Sequence, residues 1–118
     1  MDASPLRGQI WRARLGTLSR AAGHEQPDER PALVVSADFV NRSRADMCIV
    51  LPLTTTIRSV RSHIRIDPPE GGIDTPSSIQ CEQIRAISRE RLIDFLGETE
   101  DDTMARVDYV LRMILALS

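Results

Sequence analysis

The sequence predicts one mainly-β domain closed by a C-terminal α-helix, with its strands rolled into a compact, barrel-like twisted sheet. Three observations predict this. Apolar residues come in short runs, either alternating or as brief aliphatic blocks, separated by Gly-, Pro- and Asp-rich breaks. Sustained helical spacing occurs only near the C-terminus. A chain of 118 residues makes a single domain, 1–118, with material for one hydrophobic core.

Gln9 to Leu15 alternates, with Trp11, Ala13 and Leu15 on one face and Arg12 and Arg14 on the other, as in a half-buried strand. Gly16 to Arg30 is polar and broken by Gly and Pro, which predicts a long loop; a loop of that length in a small domain is more often functional than idle. Ala32 to Ser36 is a short aliphatic strand. Asp38 to Arg44 is a turn-rich connection. Met47 to Leu53 is a further aliphatic strand, and its Pro52, which has no N–H, belongs at an edge, a bulge or a strand terminus. Arg58 to Ser62 reads as an exposed basic turn.

Ser62 to Ile66 alternates again, with Ile64 and Ile66 inward. Asp67 to Gly72 breaks the pattern. Ser78 to Ile87 is strand-like, but its inward phase switches from Ile79 and Cys81 to Ile84 and Ala86, which predicts a bulge or sharp bend near Glu82. Ser88 to Arg91 suits one helical turn, and Ile93 and Phe95 a last short strand before Gly97. Thr99-Glu100-Asp101-Asp102 carries a helix-start signature with acids in the first turn. Val107, Leu111 and Ile114 then follow helical spacing, widened by Met104 and Val110.

Composition excludes several classes of function. No apolar run is long enough to cross a membrane as a helix, and the N-terminus has no signal pattern, so a cytoplasmic location is expected. Cys48 and Cys81 lie in apolar runs without metal-site or disulfide spacing, and are expected to be buried thiols. His24 and His63 are too isolated to nucleate a metal cluster, so neither metal nor cofactor is expected. The formal net charge of −2 argues against a bulk polyanion binder. Every basic side chain is arginine, whose planar fork pairs two phosphate oxygens at once. Between Arg42 and Arg65 five arginines face one acid, Asp46. From Asp94 to Asp108 the balance reverses.

A charged stretch, Glu25 to Arg30, runs into the strand at Ala32, and hydroxyls at Thr54, Thr55 and Thr56 end the next aliphatic run. An arginine fork and a hydroxyl at neighbouring strand ends can hold a phosphate. That is phosphoryl chemistry without a metal ion. The protein then has to stabilise charge on the phosphoryl oxygens and move two protons.

These stretches resemble the MazF/PemK family of toxin endoribonucleases from toxin–antitoxin pairs. Arg7-Gly8-Gln9-Ile10-Trp11 resembles its opening strand. Gly23-His24-Glu25-Gln26 with Arg30-Pro31-Ala32 resembles its Gly-Ser-Glu-Gln loop leading to Arg-Pro. Leu51-Pro52-Leu53-Thr54-Thr55 resembles the strand with its catalytic threonine, and Glu82-Gln83-Ile84-Arg85-Ala86-Ile87 a late strand. His24 departs from the usual serine, and the loop before Glu25 is longer than in compact members. The resemblance implies an SH3-like barrel shared with CcdB-type toxins, and a sequence-specific, metal-independent endoribonuclease that cuts single-stranded RNA. It implies catalytic roles for Arg30, Thr54 and Glu25. It places His24, Gln26, Thr55, Thr56, Arg58, Arg61 and Gln83 against RNA. It also implies a homodimer silenced by a MazE-like antitoxin. The competing expectation is a non-enzymatic toxin resembling CcdB, which poisons DNA gyrase by binding through its C-terminal helix.

Overall fold

A computed structural model describes residues 4–17 and 27–118. Its strands are β1 (Gln9–Thr17), β2 (Pro27–Val34), β3 (Met47–Thr54), β4 (His63–Ile66), β5 (Ser77–Gln80), β6 (Arg85–Ser88) and β7 (Leu92–Glu98). Its helices are α1 (Asp38–Asn41) and α2 (Asp101–Ile114). Every ladder is antiparallel. The strand order is β4-β5-β3-β2-β1-β7, with β6 as an additional partner of β3.

β3 organises this sheet. One edge pairs with β2. The other edge is shared, with β6 taking Met47–Val50 and β5 taking Leu53–Thr54. The chain between β5 and β6 makes a 3-10 turn at Cys81–Gln83, which is the bend expected near Glu82. The inward residue beyond it is Ile87, however, with Ala86 exposed, because β6 turns the opposite face to the core from the one the sequence suggests. Pro52 is not at an edge, a bulge or a terminus, as its type suggested. It is fully buried in the central strand. The missing N–H is tolerated because Leu51 and Pro52 fall in the gap where β3 changes partners.

The central strands are apolar on both faces, so one core becomes two clusters. Leu33, Leu51, Leu53 and Ile79 pack with Ile64, Ile66 and Val107 on one side. Ala13, Ala32, Val34, Cys48, Val50 and Ile87 pack on the other, with Trp11 and Leu15 partly covering them. Strands buried on both faces read as continuous aliphatic runs, as Ala32–Val35 does.

The hairpin of β1 and β2 is longer than its sequence suggests. Arg14 pairs with Glu29 and Ala13 with Arg30, so Arg30 lies inside β2 and not at a loop–strand junction. Asp28 and Glu29 are poor strand formers, but Glu29 meets Arg14 in a 3.1 Å ion pair. Between Arg14 and Thr17 the register slips, leaving Leu15 and Gly16 opposite Asp28. Gly16 accommodates the resulting bulge with φ +126°.

Helix α2 buries Val107 and Val110 and half-buries Met104 and Leu111, but Ile114 stays 40% exposed. Thr99 does not cap the helix; its Oγ1 donates to the Gly8 carbonyl at 2.9 Å. Glu70 serves that end instead, accepting from the Glu100 N–H at 3.0 Å and from the Thr103 hydroxyl. The connection 38–44 contains the short α1. The last strand runs through Gly97 with Ile93 and Phe95 exposed, and Phe95 meets Trp11 edge-on at 5.7 Å.

Glu70 heads a tight turn whose backbone lies against β7. A Cβ on Gly97 would sit 2.6 Å from the Gly71 carbonyl carbon and 2.7 Å from the Gly72 nitrogen. Both are backbone atoms that no rotamer change can clear. Gly97→Ala is therefore expected to lower stability by about 2–3 kcal/mol, in the range of overpacking costs. Urea titration measures this directly, and an unchanged midpoint would contradict the close contact.

Candidate phosphate-binding site

The ladder between β2 and β3 pairs Ala32 with Pro52 and Val34 with Val50. Continued two residues, this register sets Arg30 opposite Thr54. Across β3, Thr54 pairs with Ser78 of β5. Three strands thus bring an arginine and two hydroxyls to one level of the sheet. Arg30 shares its strand face with Asp28 and Ala32, because side chains two apart point the same way.

The Arg30 guanidinium is held on several sides. Nη2 donates to Asp28 Oδ2 at 2.9 Å, and Nη1 to Gln80 Oε1 at 3.2 Å, with the Leu53 carbonyl at 3.5 Å. Its Nε is buried and has no partner among the described residues. The side chain remains 29% exposed, against 14% for Asp28. Beside it, Thr54 Oγ1 accepts from the Thr56 N–H at 3.1 Å, which leaves its hydroxyl hydrogen to donate elsewhere. A cleft of about 480 Å³ runs along this region, lined by Arg12, Asp28, Arg30, Thr54 and Thr55 and by Asp74 and Thr75. Such a site offers a phosphate a cationic planar donor and a neutral hydroxyl donor.

The other anticipated residues divide. Thr55 lines the same cleft. Thr56 is exposed and supports Thr54 through its backbone. Arg58 and Arg61 line a separate cleft of about 320 Å³, together with His63, Arg65 and Arg106. Gln83 does not line the Arg30 cleft; it is exposed on the 3-10 turn, where its backbone and side-chain oxygens accept from Arg85 at 3.3 and 3.4 Å. His24, Glu25 and Gln26 lie outside the described residues. Asp28 and Gln80 were not anticipated. Asp28 is recognisable once β2 is known to begin at Pro27, since i and i+2 then share a face. Gln80 carries no local signal, because only the β3–β5 register brings it to Arg30.

The His63 side chain is 7% exposed and its Nε2 lies 3.1 Å from Glu82 Oε2. Burial opposes ionisation of Glu82, but hydrogen bonds from Ser62, its own backbone N–H and His63 outweigh it and hold the carboxyl below the usual glutamate range. Among the described residues no three His, Cys, Asp or Glu side chains cluster with metal-binding geometry. Both cysteines are free and buried. Burial pushes Cys48 up to about 11; burial and the neighbouring Glu82 push Cys81 up to about 12. The reactive thiolate is thus suppressed until pH rises past those values. Neither thiol is expected to react with iodoacetamide at pH 8 in the folded protein, while both react in denaturant. Mass spectrometry after labelling reads this out.

The family model of PemK-like, MazF-like toxins of type II toxin–antitoxin systems matches residues 6–115. The chain is 36% identical over 113 residues to endoribonuclease EndoA of Bacillus subtilis, covering 94% of each. It is 33% identical over 116 residues to endoribonuclease MazF9 of Mycobacterium tuberculosis, covering 94% of this chain and 96% of that one. A solved mycobacterial endoribonuclease in complex with its cognate antitoxin shares the fold with a TM-score of 0.75 and 26% identity, over 98% of both chains. By its sequence across nearly its whole length, and by its fold, the chain belongs to the PemK-like, MazF-like toxins of type II toxin–antitoxin systems.

Proposed function

We propose that the chain is the endoribonuclease toxin of such a pair, cutting single-stranded messenger RNA at chosen sequences without a metal ion and so arresting translation. The observation that carries the reading is the placement of the Arg30 fork beside the Thr54 hydroxyl on adjacent strands, in a chain whose relatives are named endoribonucleases. The gyrase-binding alternative loses its support, since the family matched is that of the MazF-like toxins.

In the reaction, the 2′-oxygen attacks the adjacent phosphorus and the bond to the 5′-oxygen breaks. A 2′,3′-cyclic phosphate and a 5′-hydroxyl result. Arg30 stabilises the charge that builds on the phosphoryl oxygens, and Thr54 donates a hydrogen bond to one of them. Arginine stays protonated at any working pH, so the proton acceptor is a different group, for which Glu25 is our candidate. Thr55 lies where the flanking nucleotide would pass, and Arg58 and Arg61, in their separate cleft, would meet phosphates farther along the strand. The cleft of one protomer is short for an RNA of several nucleotides. A two-fold homodimer provides a longer groove, and a MazE-like antitoxin segment that folds onto it would block RNA. Action on messenger RNA places the toxin in the cytoplasm.

Arg30→Ala and Thr54→Ala are each expected to reduce kcat by about a hundredfold or more while leaving the fold intact, the usual cost of losing one transition-state donor. Thr54→Ser, which keeps the hydroxyl, retains most activity. Cleavage assays alongside circular dichroism test this; wild-type rates in folded Arg30→Ala would refute the assignment.

Cleavage is expected to proceed in excess EDTA and to leave 5′-hydroxyl ends. The ends are scored by whether the products need no phosphatase before labelling with polynucleotide kinase. A strict Mg²⁺ requirement, or 5′-phosphate ends, would count against the mechanism.

A further inference from the structure

Three of the five donor hydrogens of Arg30 are taken, and a fourth is buried, before any RNA arrives. A guanidinium carries five N–H bonds. Gln80 and the Leu53 carbonyl take those of Nη1, Asp28 takes one of Nη2, and the Nε–H is buried. A single Nη2 hydrogen is left without an acceptor among the described residues, on a side chain that lines the cleft. A phosphate that is to take two parallel N–H bonds therefore has to replace Asp28 or Gln80.

The two competitors differ in charge. Gln80 is neutral, and nothing in an incoming phosphate repels it. Asp28 is an anion with only 14% exposure, and it lines the same cleft. Two anions contending for one cation in a partly desolvated cleft repel each other strongly. Asp28 is also the residue free to yield. It stands opposite the Leu15–Gly16 bulge, where the β1–β2 register slips, while Arg30 itself is tied to Ala13 in the ladder.

We propose that Asp28 is an internal counter-ion of Arg30 that a phosphate of the RNA displaces, so that this carboxylate sets how tightly the site takes RNA. Asp28 is thus a positioning residue, acting through Arg30. In the free protein it stands in for the substrate phosphate and keeps the guanidinium in the plane that Gln80 and Leu53 define. It also weakens capture of weak or non-specific anions, which lack the contacts needed to displace it. The proposal rests on the reading that an RNA phosphate meets Arg30.

The test is a double-mutant cycle on RNA binding. The ligand is a single-stranded RNA that the wild-type protein cleaves, made non-cleavable by a 2′-deoxy group at the cut site. Its Kd is measured for wild type, Asp28→Asn, Arg30→Ala and the double variant, with thermal melts to confirm folding. Asparagine keeps the shape and a weak hydrogen bond but removes the competing charge. Asp28→Asn is expected to tighten binding about tenfold when Arg30 is present and to leave it within twofold in the Arg30→Ala background. In cleavage, KM falls correspondingly, a change that a merely structural role would not produce. Unchanged or weaker binding by folded Asp28→Asn would overturn the proposal. So would equal tightening in both backgrounds, which would reveal only the loss of a general negative charge. If the wild-type protein cleaves no RNA, or Arg30→Ala cleaves normally, it is the proposed function that fails. If Asp28→Asn alone fails to tighten binding while Arg30→Ala abolishes cleavage, only the counter-ion proposal fails.

Discussion

Backbone pairing along β3 decides where everything else in the site can be. Its ladder with β2 sets Arg30 level with Thr54, and its ladder with β5 delivers Ser78 and Gln80 to the same place. A one-residue slip in either ladder would turn the affected side chains to the opposite face. The two apolar clusters guard against such a slip, because each of Leu33, Val34, Val50 and Leu51 already has a buried position. Packing on both sides of the central strands thus fixes the geometry of polar groups that themselves contribute little to folding.

That arrangement carries an electrostatic cost. Arg30 is more than half buried, and its Nε has no partner among the described residues. An unsatisfied buried donor costs about 1–3 kcal/mol. Asp28, Gln80 and the Leu53 carbonyl offset part of that cost. The result is a guanidinium already oriented before substrate arrives, so that only its counter-ion has to move when a phosphate takes its place.

Much of this was legible in the sequence. The alternation at Trp11, Ala13 and Leu15, the inward Ile64 and Ile66, the bend at Glu82 and the terminal helix follow from residue periodicity alone. The start of β2 was not legible, because Asp28 and Glu29 look like loop residues; Glu29 is held in the strand by Arg14 of β1, and Asp28 lies opposite the Leu15–Gly16 bulge. Pro52 misled for a similar reason: only the change of partner along β3 gives its missing N–H a place to be missing. Within the candidate site, motif order points to Arg30 and Thr54, which the β2–β3 register brings to one level, and Thr55 lines the same cleft. Gln80 was beyond reach, since a register between distant segments leaves no mark near either. The separation of Arg58, Arg61 and Gln83 from the Arg30 cleft is likewise a matter of three-dimensional placement that spacing does not encode.

The turn headed by Glu70 joins three things that are distant in sequence. Its carboxylate receives the start of α2, its two glycines lie against the β7 backbone, and the residues that follow, Ile73 to Thr75, form one side of the cleft. Helix, strand and cleft wall therefore share a single rigid anchor. Asp74 and Thr75 are exposed on that wall and free to vary, whereas Ile73 is buried in the core. Chain length there is not free. An inserted residue would have to move the helix start or break the contact with β7. Diversification of what this cleft accepts is thereby channelled into substitutions, with insertions left to segments that hold nothing else in place.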